Sequence, residues 1–290
     1  MDLSKLLRHK PVLLLDGAMG TQLDKRGLMS RGRTNLDCPE VVREVHQQYV
    51  QCGCDILTTN TLTMNCIYIE THDVGVSVEA VNRAGAELAD QACDCDTFVL
   101  GNLSSTGQLL EPYGAYTEAQ FVEAFGEQAA VLADAGVDGL LIETVFDLRE
   151  ALCALRACKE RTALPVLVCI AFQTEEKGGR TMMGDTVEQC ARQLTEAKAD
   201  AVGANCGDLD PQQMAQLVAL FKEATDLPIV VQPNAGKPRL VGDKTVFDMA
   251  AGPFAEGVAA CIEAGARIVG GCCGTGPEHI KAVGAVIKGM

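Results

Sequence analysis

Eight short apolar runs recur along this chain, and their alternation with amphipathic segments restricts the possible folds more than any other feature. The runs occupy residues 12–15, 56–59, 98–101, 139–142, 166–171, 201–204, 229–232 and 267–270. Short continuous stretches of Val, Ile and Leu suit strands buried on both faces, as parallel sheets require. The intervening segments carry the helical period instead. One spans 39–52 with Val41, Val45, Tyr49 and Val50 at helical spacing; another spans 117–135, where Thr117 precedes Gln120 at capping-box distance. The turns leading into the even-numbered runs also resemble one another: Cys52-Gly53-Cys54-Asp55, Ala135-Gly136-Val137-Asp138, Ala197-Lys198-Ala199-Asp200 and Ala264-Gly265-Ala266-Arg267. Leu164-Pro165 and Leu227-Pro228 lead into the fifth and seventh. Strand then helix, eight times over, predicts an α/β fold of the (β/α)8 TIM-barrel class. A doubly wound open sheet is the alternative, because repetition alone does not prove closure.

The length of 290 residues fits one such barrel, which takes about 250. No linker-like shift in composition divides the chain, so residues 1–290 are expected to form a single domain. With 48% apolar residues it can bury a large core, and a net charge of −15 opposes nucleic-acid binding, which needs a basic face. No stretch approaches the roughly 18–20 apolar residues of a membrane span, and the run at 12–15 is too short for a signal peptide. The 14 cysteines are accordingly expected as free thiols in a cytoplasmic protein.

In a barrel, functional groups gather where strands end. The ends here read Asp16-Gly17-Ala18-Met19-Gly20-Thr21, Thr59-Asn60-Thr61, Asn102, Glu143-Thr144, Phe172-Gln173, Asn205-Cys206, Pro233-Asn234 and Cys272-Cys273. A lone buried cysteine behaves as a small hydrophobe, the reading that suits Cys153, Cys158, Cys169, Cys190 and Cys261. Adjacent Cys272 and Cys273 differ. Successive strand side chains face opposite ways, so both reach one metal only if the backbone leaves the strand, which Gly270, Gly271 and Gly274 permit. With Cys206 they offer three thiolates and no evident fourth protein ligand, the pattern of a catalytic zinc with one open position. Glu143 and Asp16 could hold a substrate ammonium, and the backbone of Gly17-Ala18-Met19-Gly20 could approach a carboxylate, although an ordinary tight turn also accounts for that segment, which taken alone is a weak signal. His9, His46, His72 and His279 are not placed for acid–base work. The loop 173–183, with Gly178 and Gly179, reads equally as a lid or a solvent loop.

The same residues resemble a known family. Asp16-Gly17-Ala18-Met19-Gly20-Thr21, Glu143-Thr144, Asn205-Cys206 and Gly271-Cys272-Cys273-Gly274 look like the homocysteine S-methyltransferase family, and within it the homocysteine-binding module of cobalamin-dependent methionine synthase. Thr181-Met182-Met183-Gly184 and Gln232-Pro233-Asn234-Ala235-Gly236 extend the resemblance to essentially the whole chain. It implies a barrel whose Cys206, Cys272 and Cys273 bind one catalytic Zn2+, with the homocysteine sulfur in the fourth place. It further implies Glu143 and Asp16 at the amino group, backbone near Gly17 and Ala18 at the carboxylate, and Asn205 and Asn234 in the substrate pocket. The product would be methionine. Two departures occur at the rim: Leu62 follows Thr59-Asn60-Thr61 where the family usually has phenylalanine, and Asn102-Leu103-Ser104-Ser105-Thr106-Gly107 replaces a glycine- and proline-containing turn.

The sequence reaches Met290 soon after the eighth run, so the methyl donor is expected from outside. One expectation is a methyl-corrinoid protein acting in trans, the corrinoid not being held stably by this chain. The other is a sulfonium such as S-methylmethionine, or betaine, entering the mouth directly. A homocysteine or zinc sensor without catalysis, and a metal-free lyase using Cys206 as nucleophile, are the rivals from other classes.

Overall fold

Each apolar run of the sequence forms a parallel strand. The computed structural model describes residues 3–28, 32–94, 96–242 and 244–290. Its strands are β1 (Leu13–Leu14), β2 (Ile56–Thr58), β3 (Phe98–Leu103), β4 (Gly139–Val145), β5 (Val166–Ile170), β6 (Ala201–Asn205), β7 (Ile229–Gln232) and β8 (Ala266–Val269). They lie in the hydrogen-bonded order β1-β8-β7-β6-β5-β4-β3-β2. A parallel bridge between Leu15 and Ile56 joins the first strand to the second. The sheet therefore closes on itself, and the open doubly wound alternative is excluded. Strands β3 and β4 run past the expected ends at 101 and 142, which places Asn102 and Glu143 on the strands themselves.

Closure creates two cores. Between sheet and helices, Val99, Leu140, Ile142, Val168, Val202 and Val231 pack against the surrounding helical faces. Inside the barrel, alternate residues meet: Leu13, Leu15, Ile56, Phe98, Leu100, Leu141, Leu167, Cys169, Val230 and Ile268. The helix Leu3–His9, which the apolar-run pattern does not reveal, packs Leu3, Leu6 and Leu7 against this inner core. Its carbonyl at Leu7 accepts from Arg267 Nη2 at 2.8 Å, at the start of β8, so the helix stops the barrel from its N-terminal end.

Continuing the inward alternation reaches the functional end. Above Phe98 and Leu100 comes Asn102; above Leu141, Glu143; above Ala201 and Gly203, Asn205; above Val230, Gln232. The inner wall thus changes from apolar to polar within one period at the C-terminal mouth.

The outer helices start where their caps dictate. Thr117 and Gln120 form the expected capping box on helix Glu118–Asp134. Thr186 with Gln189 and Asp210 with Gln213 do the same for helices Val187–Glu196 and Pro211–Ala224. Each cap contributes about 1 kcal/mol. Part of the loop at 173–183 is a hairpin in which Phe172–Thr174 pairs antiparallel with Arg180–Thr181. A second hairpin, Arg239–Val241 with Lys244–Val246, follows β7. Among the described residues no helix is long and apolar enough to cross a membrane.

Candidate metal centre

Cys206 immediately follows β6 and takes a left-handed backbone, φ 53°, an uncommon state for a residue with a side chain. Two neighbours hold it there. Its amide donates to Gln232 O at 3.1 Å, and Gly207 beside it (φ 66°) lies so close to Phe172 O that a Cβ would sit 2.1 Å away. Beyond β8, the amide of Thr275 closes a turn on Cys272 O at 3.1 Å, with Gly274 at φ 83° in the position where a type II turn needs positive φ. The chain has left the strand, as the glycines implied, and Cys272 and Cys273 face the same centre.

The sulfurs of Cys206, Cys272 and Cys273 all lie within 4.8 Å of one another, and Cys206 Sγ is 4.0 Å from Cys273 Sγ. Thiolates at about 2.3 Å from a tetrahedral ion sit about 3.8 Å apart, so the cluster fits a zinc ion with little adjustment. Its electrostatics agree. The neighbours Cys206 and Cys272 draw the Cys273 thiol below the ordinary range, to about 4, while Cys206 and Cys273 push Cys272 well up. Three sulfurs this close repel one another when ionised, and a divalent cation between them is what would let all three carry charge.

Beside the thiols stand two buried carboxyls. Glu143, 6% exposed, is lifted to about 7 by burial against the opposing bond from Asn102. Asp16, 2% exposed, is raised well above the usual carboxylate range by burial, although the Thr58 amide (2.8 Å) and hydroxyl (3.1 Å) both bond to it. The charge of Glu143 adds to that rise. Neighbouring acids that resist ionisation are the complement of a small cation, whose arrival would restore their charge.

The remaining expected residues have distinct placements. Asn205 is fully buried and turned toward Glu143 Oε2 (2.6 Å), Thr144 Oγ1 (2.8 Å) and Cys272 Sγ (3.7 Å), while its Oδ1 accepts from the Thr144 amide at 2.8 Å. Asn234 Nδ2 donates to Gly207 O at 2.9 Å, and its buried Oδ1 has no hydrogen-bond partner. Ala18 donates its amide to Thr275 Oγ1 (3.0 Å) and accepts from Tyr49 OH (2.8 Å), tying the loop after β1 to the turn after β8. A Cβ on Gly17 would come within 2.9 Å of both Thr275 Oγ1 and Tyr49 OH, so this corner tolerates only glycine without movement. His279 caps its own helix start, accepting from the Gly276 amide at 3.2 Å, and lies 2.9 Å from Met249 O.

A family model described as homocysteine S-methyltransferase matches residues 13–287. The chain belongs to that family. Methionine synthase of Mycobacterium leprae (strain TN) is 29% identical over 308 residues, covering 99% of this chain and 25% of that protein. The chain thus spans about a quarter of the length of this curated relative. Among solved structures, the metallated form of the homocysteine methyltransferase MmuM from Escherichia coli is 24% identical with a TM-score of 0.79, covering 98% of this chain and 99% of that one. The carboxyl transferase domain of Rhizobium etli pyruvate carboxylase, bound to pyruvate, is 15% identical with a TM-score of 0.56 over 97% of this chain and 48% of that one. At these identities both structures speak for the fold.

For this member of the homocysteine S-methyltransferase family, the sequence singled out the sulfurs, the acids and the asparagines at the strand ends, but neither Thr58 nor the way Asn102 and Asn205 hold Glu143. Thr58 fixes Asp16, and Asn102 Nδ2 donates to Glu143 Oε1 at 2.6 Å. The signal that finds them is the period-two step above the apolar inner residues. Glu150, also buried, accepts from the Thr106 amide (2.8 Å), Thr106 Oγ1 (2.9 Å) and Ser105 Oγ (2.9 Å), which pins the loop after β3.

Proposed function

We propose that this chain binds homocysteine and presents its sulfur for methylation, giving methionine, with a methyl-corrinoid protein as the donor in trans. The observation that carries the reading is the three-sulfur cluster next to the buried Glu143–Asp16 pair, a metal-ligand set and a cation receptor in one barrel mouth. Cys206, Cys272 and Cys273 would hold one Zn2+. When bound, such an ion lowers the pKa of a thiol that shares it, so that the thiol is a thiolate near neutral pH.

The chain's own groups do the rest. Glu143 and Asp16 grip the substrate ammonium and so fix the distance from amino group to sulfur. Asn205 and Asn102 keep the Glu143 carboxylate oriented from both sides. The apolar inner core beneath them keeps water from the far side of the site. In the transfer, a sulfur lone pair forms the S–CH3 bond while the bond from methyl to donor breaks, and its electron pair stays with the donor. No general base is called for once the sulfur is ionised. The resemblance to the homocysteine module of cobalamin-dependent methionine synthase, with the match to a quarter of a methionine synthase, supports the corrinoid donor.

The test is methionine formation by zinc-loaded protein given homocysteine and free methylcobalamin, beside S-methylmethionine. Turnover with methylcobalamin and about one zinc per chain, lost in Cys273→Ser, is the expected result. Turnover with the sulfonium alone would replace the corrinoid donor. Tight homocysteine binding without product from either donor, or from a methyl-corrinoid protein, would leave a sensor.

A further inference from the structure

We infer that Asn102 is a specificity residue of the substrate pocket, accepting a hydrogen bond from the primary ammonium of the substrate through its Oδ1. The inference rests on the homocysteine reading and adds a contact to it. Asn102 is 5% exposed and its backbone is held on both sides: its amide donates to Thr59 Oγ1 at 2.9 Å, and its carbonyl accepts from Thr61 Oγ1 at 2.7 Å. The side chain follows Phe98 and Leu100 in the inward alternation of β3, so it meets Glu143 at the mouth. Its Nδ2 lies 2.6 Å from Glu143 Oε1. Only the nitrogen of a carboxamide can donate to a carboxylate, which fixes the sense of the amide and leaves Oδ1 on its other edge.

That Oδ1 is buried and has no hydrogen-bond partner. An amide oxygen withdrawn from water without a donor is costly, and such groups in native proteins point to something that completes them. Two further buried carboxamide oxygens at the mouth, of Gln232 and Asn234, share this state. Both belong to the thiol side: Gln232 O receives the Cys206 amide and Asn234 donates to Gly207 O. Asn102 alone of the three is bonded to Glu143. Around Asp16 and Glu143 the protein's own donors, Thr58, Asn102 Nδ2 and Asn205 Nδ2, are already engaged with these acids, which leaves Asn102 Oδ1 as an acceptor with no protein donor. Its complement is a small cation carrying several N–H groups. A primary ammonium has three, one of which Oδ1 takes while the carboxylates supply the opposite charge. A trimethylammonium has none, and a thiol acid without the amine offers neither N–H donors nor a positive charge.

The experiment titrates zinc-loaded protein calorimetrically with homocysteine and with 4-mercaptobutyrate, which keeps thiol and carboxylate but lacks the amine. Asn102→Ala is expected to weaken homocysteine about tenfold or more and to leave 4-mercaptobutyrate within about twofold. The same substitution placed on Glu143→Gln should still weaken homocysteine, because the contact is its own. Equal loss for both ligands, no loss for either, or a loss that vanishes in the Glu143→Gln background overturns the assignment. Asn102→Ser, which retains a small polar group, should show the same ligand pattern and serves if the alanine chain does not fold. Wild-type protein that fails to bind homocysteine overturns the homocysteine reading and this contact with it, whereas wild-type binding with indifferent variants removes Asn102 only.

Discussion

Asn205 places one carboxamide between Glu143, the backbone of Thr144 and the sulfur of Cys272. Thr144 has φ 58°, a left-handed state that a branched residue occupies only under restraint, and both polar edges of Asn205 hold it there. Asn205→Ala should lower stability by about 2 kcal/mol in urea denaturation, since it strands buried partners. It should also weaken both homocysteine, measured by titration, and zinc, measured by chelator competition. Unchanged affinity for both would remove Asn205 from the site's framework. The contrast with the cysteines shows what a sequence reveals at this scale. Two adjacent thiols hemmed by glycines have few structural uses, so Cys272 and Cys273 declare themselves. An asparagine after an apolar strand has many, and whether Asn205 or Asn102 faces substrate or another side chain depends on a partner strand that is distant in the chain.

The helix Pro39–Gln51 was legible from its period, and it buries Val45 and Tyr49 as expected, but it buries Val42 in place of Val41 and leaves Val41 and Val50 half-buried. It also buries His46 completely, with neither ring nitrogen hydrogen-bonded. Hydropathy patterns treat histidine as polar, so this burial does not show in the sequence. Burial lowers the His46 pKa from 6.5 to about 4. The folded chain therefore holds fewer protons than the unfolded chain between those values. His46 contributes its full share above about pH 6.5, and that share falls away as pH drops toward 4, by roughly 3 kcal/mol in total. Glu143, raised to about 7, acts in the opposite sense, losing stability as pH climbs. Comparing wild type with His46→Leu isolates the histidine: between pH 7.5 and pH 5 the wild type should lose about 2 kcal/mol more than the variant. Identical pH slopes would mean that His46 is satisfied in solution.

At the scale of the whole molecule, the two ends of the barrel differ in kind. The N-terminal end is closed by apolar contacts of Leu3, Leu6 and Leu7, and the C-terminal end carries the thiols and acids. Leu3→Ala should lower stability by about 2 kcal/mol through the cavity it leaves, with homocysteine affinity unchanged. A parallel fall in affinity would show that the two ends are coupled. The eight repeats made the barrel readable, but not its stopper, because a single short amphipathic helix at the start of a chain carries no periodic partner in the sequence.

The closure of the barrel between β1 and β2 rests on little ladder, since β1 is two residues long and meets β2 through one bridge. Two aspartates act as rivets along this seam. Asp55 Oδ2 takes the amide of Leu14 at 2.9 Å, and Asp16 Oδ2 takes the amide of Thr58 at 2.8 Å, each side chain standing in for a missing backbone rung. Asp16 is therefore a fastening of the fold as well as the proposed partner of the substrate ammonium, and no substitution there would report on ligand binding alone.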